Sequence, residues 1–363
     1  MKRILILTAG FGEGHNAAAR GLRDALAEIG EAEVEYHDLF AETYGIANEW
    51  TRKFYLGLIN RYPHRWSTFY QWLDRKSDFA GNFRFLFALK NRLSQLLARF
   101  RPDAIVSVYP VYSHLLDEVL GPSSGRDAKR ISIVTDSITV NAIWYRCTAD
   151  FFLVPNEPTA NVLRSVGVPS EKIRDFGFPV SPKFAQPGVN QPSADAPERR
   201  ILYMINAGKT IAPDLVRRLC AIDQTHLTVT VGRDLQLRQA IEDVQRAAGK
   251  AFEIVGWSEE MPRFMRESHL LVGKAGGATV QETIAAGCPM IINHVVPGQE
   301  EGNARLIQQT NSGMVAQSHE AVVAAIEQAF ANDAAVWRQW TGNIRALSRP
   351  SAALETARFI LSL

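Results

Sequence analysis

Cysteine is scarce in this chain: Cys147, Cys220 and Cys288 are the only three in 363 residues, and they form no CxxC pair. That spacing excludes a disulfide-stapled scaffold and a thiolate metal site, and leaves reduced thiols in a cytosolic protein. The eight histidines form no HExxH, and no Asp-x-Asp is present, which removes the acidic pair of a metal-dependent transferase. No run of 18 apolar residues occurs, so no transmembrane helix is expected. The opening MKRILILTAG sets two basic residues before an apolar run of about five, short of what a signal peptide needs, so it reads as a first buried strand. The net charge of +2 is too small to argue for nucleic acid, and no RNP or helix-turn-helix pattern supports that partner. Low-complexity tracts are absent too, and with 46% hydrophobic residues the chain can bury a substantial core.

What is present is alternation. Apolar, β-rich runs recur at KRILILT, AEVEYHD, DAIVSVY, RISIVTD and DFFLVP, with helix-compatible stretches between most of them. This pattern predicts a parallel sheet covered by helices. AQPGVNQPSADAPERR (185–200) is poor in large apolar residues and reads as a linker. The strand pattern restarts at RILYMIN and continues through HLTVTVG, AFEIVG, HLLVGKA and CPMIINHV. Two α/β domains with a ligand cleft between them are therefore expected, with functional loops beyond the carboxyl ends of the strands.

Between Glu49 and Arg101 eleven Lys/Arg face three acids, interleaved with aromatics as in WTRKFYLGLINRYPHRW and FRFLFALKNRLSQLLARF. Such a segment suits an anionic membrane surface, where each basic residue adds about 1 kcal/mol of attraction. It is equally compatible with an amphipathic helical pair whose apolar stripe packs on the sheet.

The loop GFGEGH (Gly10 to His15) joins the first strand to the first helix. A dinucleotide site needs GxGxxG, whereas this loop runs Gly10-x-Gly12-x-Gly14, and Asp38 lies 28 residues from Gly10 rather than about 20. His15 is a polar contact at a helix start or a base, since a neutral imidazole accepts a hydroxyl proton near neutral pH. In the second half, VGKAGGATVQETIAAGCPMIINH (Val272 to His294) runs a strand into Gly276-Gly277-Ala278-Thr279 and then a helix. Small residues there let backbone amides approach a phosphate. Thr279 can cap the helix or donate to a phosphate; Glu282 can bind ribose or merely complement the helix dipole.

GKAGGATVQETIAAGCPMI followed by PGQEEGNARLI resembles the donor half of a GT-B glycosyltransferase. More narrowly, it resembles the monogalactosyldiacylglycerol synthase and processive diacylglycerol glucosyltransferase group, which is glycosyltransferase family 28-like. The resemblance extends to GFGEGHNAAARGLRDAL, VTDSITVNAIW, FGFPVSPKF, TVGRDLQLRQAI and FEIVGWSEEMPRFMRESHLLV, in order along nearly the whole chain. It implies an α/β fold with two Rossmann-like parallel-sheet domains facing each other across a cleft. The acceptor and membrane domain would span 1–184, the linker 185–200 and the UDP-sugar domain 201–345, with a C-terminal helix over 346–363 returning to the first domain.

The same resemblance implies residue roles. His15 would be catalytic, with Gly12, Gly14, Asp136, Asn141 and Trp144 on the acceptor side. Gly276, Gly277, Ala278 and Thr279 would hold the UDP pyrophosphate, Glu282 the ribose, and Val255 and Gly256 the uracil. Arg233, Lys274, Gly208 and Lys209 would complete the nucleotide site, and Gln299, Glu300 and Asn303 would bind the donor sugar. Amides and cations would stabilise the leaving UDP without a metal or other cofactor. Transfer would invert an α-linked donor to a β-glycoside on a lipid acceptor such as diacylglycerol, in the cytoplasm at the inner face of the cell membrane. Two departures stand out: the TD motif carries Asn141 where the group has histidine, and MINAGKT (Met204 to Thr210) replaces a glycine cluster.

Overall fold

The computed structural model describes residues 1–45, 86–121, 128–189, 191–297 and 300–363. Most of the basic, aromatic segment and Gln299 lie outside the described residues. The chain forms two compact units. The first comprises Met1–Pro182, Val296–Gly302 and Ser351–Leu363; the second comprises Lys183–Val295 and Asn303–Pro350.

The first unit holds six parallel strands in the order β2-β1-β3-β4-β5-β6: β1 Lys2–Leu7, β2 Ala32–His37, β3 Ala104–Ser107, β4 Lys129–Ile133, β5 Phe151–Val154 and β6 Ile173–Asp175. Ile4, Leu5, Ile6 and Leu7 are all fully buried. A parallel sheet covered on both faces takes continuous apolar runs, and each buried side chain of this size contributes about 1.5–3 kcal/mol. The helix Glu13–Ile29 turns Ala17, Ala18, Ala19, Gly21, Leu22, Ala25 and Leu26 inward and stops at Gly30, whose φ of 74° is the left-handed C-cap. Its small residues permit close seating: a Cβ added at Gly21 would lie 2.0 Å from the Pro179 carbonyl oxygen. The helix Ala352–Ser362 packs against this first helix, and Phe359 meets Phe151 edge-on at 5.0 Å.

The second unit repeats the plan with β7 Arg199–Met204, β8 Thr225–Gly232, β9 Glu253–Gly256, β10 Leu270–Lys274, β11 Met290–His294 and β12 Gly313–Val315, in the order β12-β11-β10-β7-β8-β9. Its core gathers Trp337 and Trp340 from His319–Leu347, a helical stretch interrupted by non-helical backbone from Ala331 to Ala334. The linker-like segment is fastened to this unit. Ser193 O accepts from His269 Nε2 at 2.9 Å, and Gln186 O accepts from Arg266.

The described end of the basic segment is core-forming. In Phe87–Phe100 the residues Leu89, Leu93, Leu96 and Phe100 are buried, and Lys90 and Arg99 pair with Glu118 and Glu35 at 2.7 and 2.5 Å. The packing alternative therefore holds for this helix. The three cysteines are free thiols. Burial pushes Cys147 up to about 12 and Cys288 well above its ordinary range, which makes both unreactive.

Each sheet has one point where the chain reverses direction across it. In the first unit β1 leads out to β2, and the chain then returns to β3 on the other side of β1; in the second, β10 takes the corresponding place beside β7. Ligand crevices in open α/β sheets form beyond the strand ends at such points. The loops after β1 and β3 carry Gly10–His15 and Val108–Tyr109, and the loops after β7 and β10 carry Asn206–Lys209 and Ala275–Thr279.

Candidate functional site

In the first unit the glycine loop is braced from several directions. The Gly10 amide donates to Asp38 Oδ2 at 2.8 Å, and the Ala41 amide donates to Asp38 Oδ1 at 3.0 Å. Asp38 is thus a buttress of the loop. Gly12 is the extended N-cap of the first helix, and Gly14 lies in its first turn. A Cβ on Gly12 would sit 3.4 Å from His15 Cδ2, so glycine leaves that edge of the ring uncovered.

His15 is held by partners from two further strand ends. Thr135 Oγ1 lies 3.0 Å from Nδ1, and the Val108 backbone after β3 also hydrogen-bonds the ring. Tyr109 packs edge-on at 5.1 Å and Trp144 at 5.8 Å between ring centroids. Burial costs the imidazolium its hydration and lowers the His15 pKa to about 4, against a smaller opposing effect of the Val108 bond. At neutral pH the ring is uncharged and oriented. Beside it Phe11 stacks on Tyr109 at 5.9 Å and meets Phe40 edge-on at 5.3 Å.

The TD motif supplies the rest of this region. Trp144 is 1% exposed, and its Nε1 donates to Asp136 Oδ2 at 2.7 Å. Burial raises Asp136 to about 6, partly offset by that indole bond. Asn141 caps the short turn Ala142–Trp144, its side chain accepting from the Ile143 amide at 3.0 Å. Histidine's replacement by asparagine therefore has a local structural use. The segment Val296–Gly302 packs here too: a Cβ on Gly302 would stand 2.1 Å from the Ser137 carbonyl oxygen. Glu300 is buried, and its Oε2 accepts from the Val296 amide at 3.0 Å.

In the second unit the helix Gly277–Ala286 starts from Gly276 with no side-chain cap. Thr279 does not cap it. It lies within the first turn, and its hydroxyl accepts from Asn206 Nδ2 at 3.3 Å, because the β7 and β10 loops are neighbours at the sheet's reversal point. Its position leaves the leading amides of the helix without a side-chain acceptor. Asn303 supports the turn from behind, its Nδ2 donating to the Ala275 carbonyl at 3.1 Å, while its buried Oδ1 has no hydrogen-bond partner among the described residues. Glu282 and Lys274 are half-buried near this helix and strand end.

Cationic groups gather at the adjoining strand ends. Lys209, following Gly208, pairs with Asp234 at 2.7 Å. The Arg233 guanidinium lies 4.7 Å over the ring of Trp257, an exposed residue directly after Val255 and Gly256. Thr135, Val108, Tyr109, Asp234 and Trp257 were not singled out from the sequence, and Asp38 was weighed there only against a dinucleotide site. They act on the expected residues through pairings that only the sheet order creates, apart from Trp257, which the neighbouring Gly256 could have drawn attention to.

Both units have the α/β architecture of a GT-B glycosyltransferase. The fold matches the crystal structure of MurG from Acinetobacter baumannii over the whole of both chains, with a TM-score of 0.66 at 15% identity. It also matches the calicheamicin glycosyltransferase CalG4 (TM-score 0.60, 14% identity, covering 100% of this chain and 98% of that one). A UDP-GlcNAc 2-epimerase from Neisseria meningitidis aligns over both full chains at TM-score 0.60 and 12% identity, so the shared fold alone does not separate transfer from epimerisation. Sequence families do. Residues 15–180 match the monogalactosyldiacylglycerol (MGDG) synthase family, and residues 205–337 match the glycosyltransferase family 28 C-terminal domain. The chain belongs to this group of UDP-sugar glycosyltransferases. Processive diacylglycerol beta-glucosyltransferases are among its relatives: that of Bacillus subtilis (strain 168) is 25% identical over 92% of this chain and 88% of its own length. That of Bacillus thuringiensis (strain Al Hakam) is 25% identical over 97% of this chain and 91% of its own.

Proposed function

We propose that this protein transfers a hexose from a UDP-sugar to the hydroxyl of a lipid acceptor of the diacylglycerol type, with inversion, giving a β-glycolipid at a membrane surface. The observation that carries the reading is the uncharged, doubly oriented His15 at the reversal point of the first sheet. A neutral imidazole with fixed hydrogen bonds is suited to accept the hydroxyl's hydrogen as its oxygen attacks the anomeric carbon. In the second unit, the leading amides of Gly277–Ala286 and nearby cations such as Lys274 suit the charge that grows on departing UDP. Glu282 is assigned to the ribose, Val255 and Gly256 to the uracil, and Gln299, Glu300 and Asn303 to the donor sugar. Transfer proceeds without a metal.

The lipid class is supported by the relatives and by the aromatic surroundings of His15. Membrane attachment rests on the composition of residues 49–85, because the paired charges of Lys90 and Arg99 belong to the fold. The site of action is the inner, cytoplasmic face of the membrane. No described helix is long and apolar enough to cross a bilayer.

The test incubates the protein with UDP-hexoses and diacylglycerol-containing vesicles, with and without a chelator. UDP release and a chelator-insensitive glycolipid product are expected. A product only from UDP-N-acetylhexosamines or only on another acceptor would redirect the specificity. Tight UDP binding without turnover on any lipid would mark a UDP-sugar-binding regulator.

A further inference from the structure

Beyond His15, the region holds a second ionisable group that the reaction as described leaves without a task. We propose that Asp136 is the final holder of the acceptor's proton, its carboxylate fixed by the Trp144 indole on one oxygen and available on the other. The inference rests on the transferase reading.

Geometry leads to it. Trp144 links the two groups: its ring packs 5.8 Å from the imidazole, while its Nε1–H holds Asp136 Oδ2 at 2.7 Å. The bond fixes the carboxylate and leaves Oδ1 without a hydrogen-bond partner among the described residues. Both side chains sit at the carboxyl end of the sheet, His15 after β1 and Asp136 after β4. Thr135, the residue before Asp136, is the hydroxyl that touches His15 Nδ1. Two adjacent residues thus position the imidazole and present the acid.

Proton affinities point the same way. With His15 near 4 and Asp136 near 6, a proton released here rests on the carboxylate. Partial burial disfavours the imidazolium and favours the neutral acid, so both shifts follow from the loss of hydration at two half-buried groups. Among the described residues, the titratable or charged groups on surrounding elements include Tyr109 against His15, His114, bonded to the Ile143 carbonyl, Asp117 on the same helix as His114, Glu157 on the helix whose Thr159 holds the Ile138 amide, Arg146 beyond Trp144, and Glu300 and Glu301 on the segment packed at Ser137. Burial and the Trp144 bond, not these charges, are what shift Asp136.

The step balances. The hydroxyl oxygen's electron pair forms the bond to the anomeric carbon as the bond from that carbon to the UDP oxygen breaks, and UDP leaves with that pair. The hydroxyl proton ends on Asp136, with His15 as the hydrogen-bond acceptor that aligns the hydroxyl, and later passes to solvent.

The experiment compares wild type, Asp136→Asn, Trp144→Phe and His15→Gln for glycolipid formation from pH 5 to 8, with UDP affinity as the check on folding. Wild type should show an acidic limb near pH 6, and Asp136→Asn should lower kcat at least 100-fold, abolish the limb and change UDP affinity less than two-fold. Trp144→Phe should move the limb to higher pH, since the lost donor had stabilised the carboxylate; His15→Gln should slow turnover but keep the limb. Persistence of the limb in Asp136→Asn, or a rate within three-fold of wild type, overturns the proposal. An independent readout needs no substrate: the indole N–H resonance lost in Trp144→Phe should titrate near pH 6 in wild type and not in Asp136→Asn, and a flat resonance would refute the assignment. Absence of wild-type turnover together with a titrating indole would instead count against the transferase reading.

Discussion

The glycine loop of the first unit, after β1, and that of the second, after β10, both border the reversal points of their sheets and are built in opposite ways. Gly10–His15 is tied by Asp38, Val108 and Thr135 and walled by aromatic rings. Ala275–Thr279 leads into a helix whose N-terminus no side chain caps; Asn206 on the Thr279 hydroxyl, Asn303 on the Ala275 carbonyl and Thr283 on the Thr279 carbonyl are side-chain ties that leave the leading amides alone. A general base works only when its lone pair is aimed, which requires neighbours; an anion cradle works only when its amides remain unspent, which requires their absence.

The largest expected effect breaks the braced side. His15→Gln should lower kcat by 10² to 10⁴-fold in a glycolipid assay while UDP affinity, read by calorimetry, stays within two-fold. Equal losses in both would move His15 to donor binding and remove the contrast between the loops.

Next comes a test on stability. The depressed His15 pKa makes the unfolded chain bind more protons between about pH 4 and 6.5, so His15 contributes stability above that window that is lost as pH falls through it. Asp136 has the opposite sign: its raised pKa favours the folded state at low pH and is lost as pH rises through about 6. Each is worth on the order of 2–3 kcal/mol, and they largely cancel. Thermal melts should show little slope between pH 4 and 6 in wild type. Asp136→Asn should gain stability with rising pH across that range and His15→Gln should lose it; parallel slopes in both variants would contradict the opposed environments.

The smallest effect concerns the bare loop. Asn206→Ala removes one hydrogen bond worth about 1 kcal/mol, so UDP affinity should weaken roughly five-fold with kcat at saturating donor unchanged. A loss beyond 50-fold would show the second loop to be as dependent on side-chain bracing as the first.

Ten of the twelve strands carried long β-rich runs and were legible in the sequence. Ile173–Asp175 and Gly313–Val315 were not, because three-residue edge strands have too little pattern to register. His15, Asp136 and Trp144 could be named from motif spacing, yet their mutual contacts could not. Whether Asp38 binds a ribose or braces a loop depends on which amide reaches it, a matter of strand register rather than composition. Thr279 was open between cap and ligand for a related reason: its partner comes from 73 residues away. Net charge misled along Phe87–Phe100, where the acids that neutralise Lys90 and Arg99 lie on other elements.

The first unit draws its helix Ala352–Ser362 from the far end of the chain and a further segment from Val296–Gly302. During synthesis, then, the half that begins earliest cannot close its core until residues 351–363 leave the ribosome, and the half that begins later has all its strands sooner. Translation order and completion order are inverted. A nascent chain stalled before position 351 would carry the apolar flank of Glu13–Ile29 uncovered, the surface on which a chaperone would act.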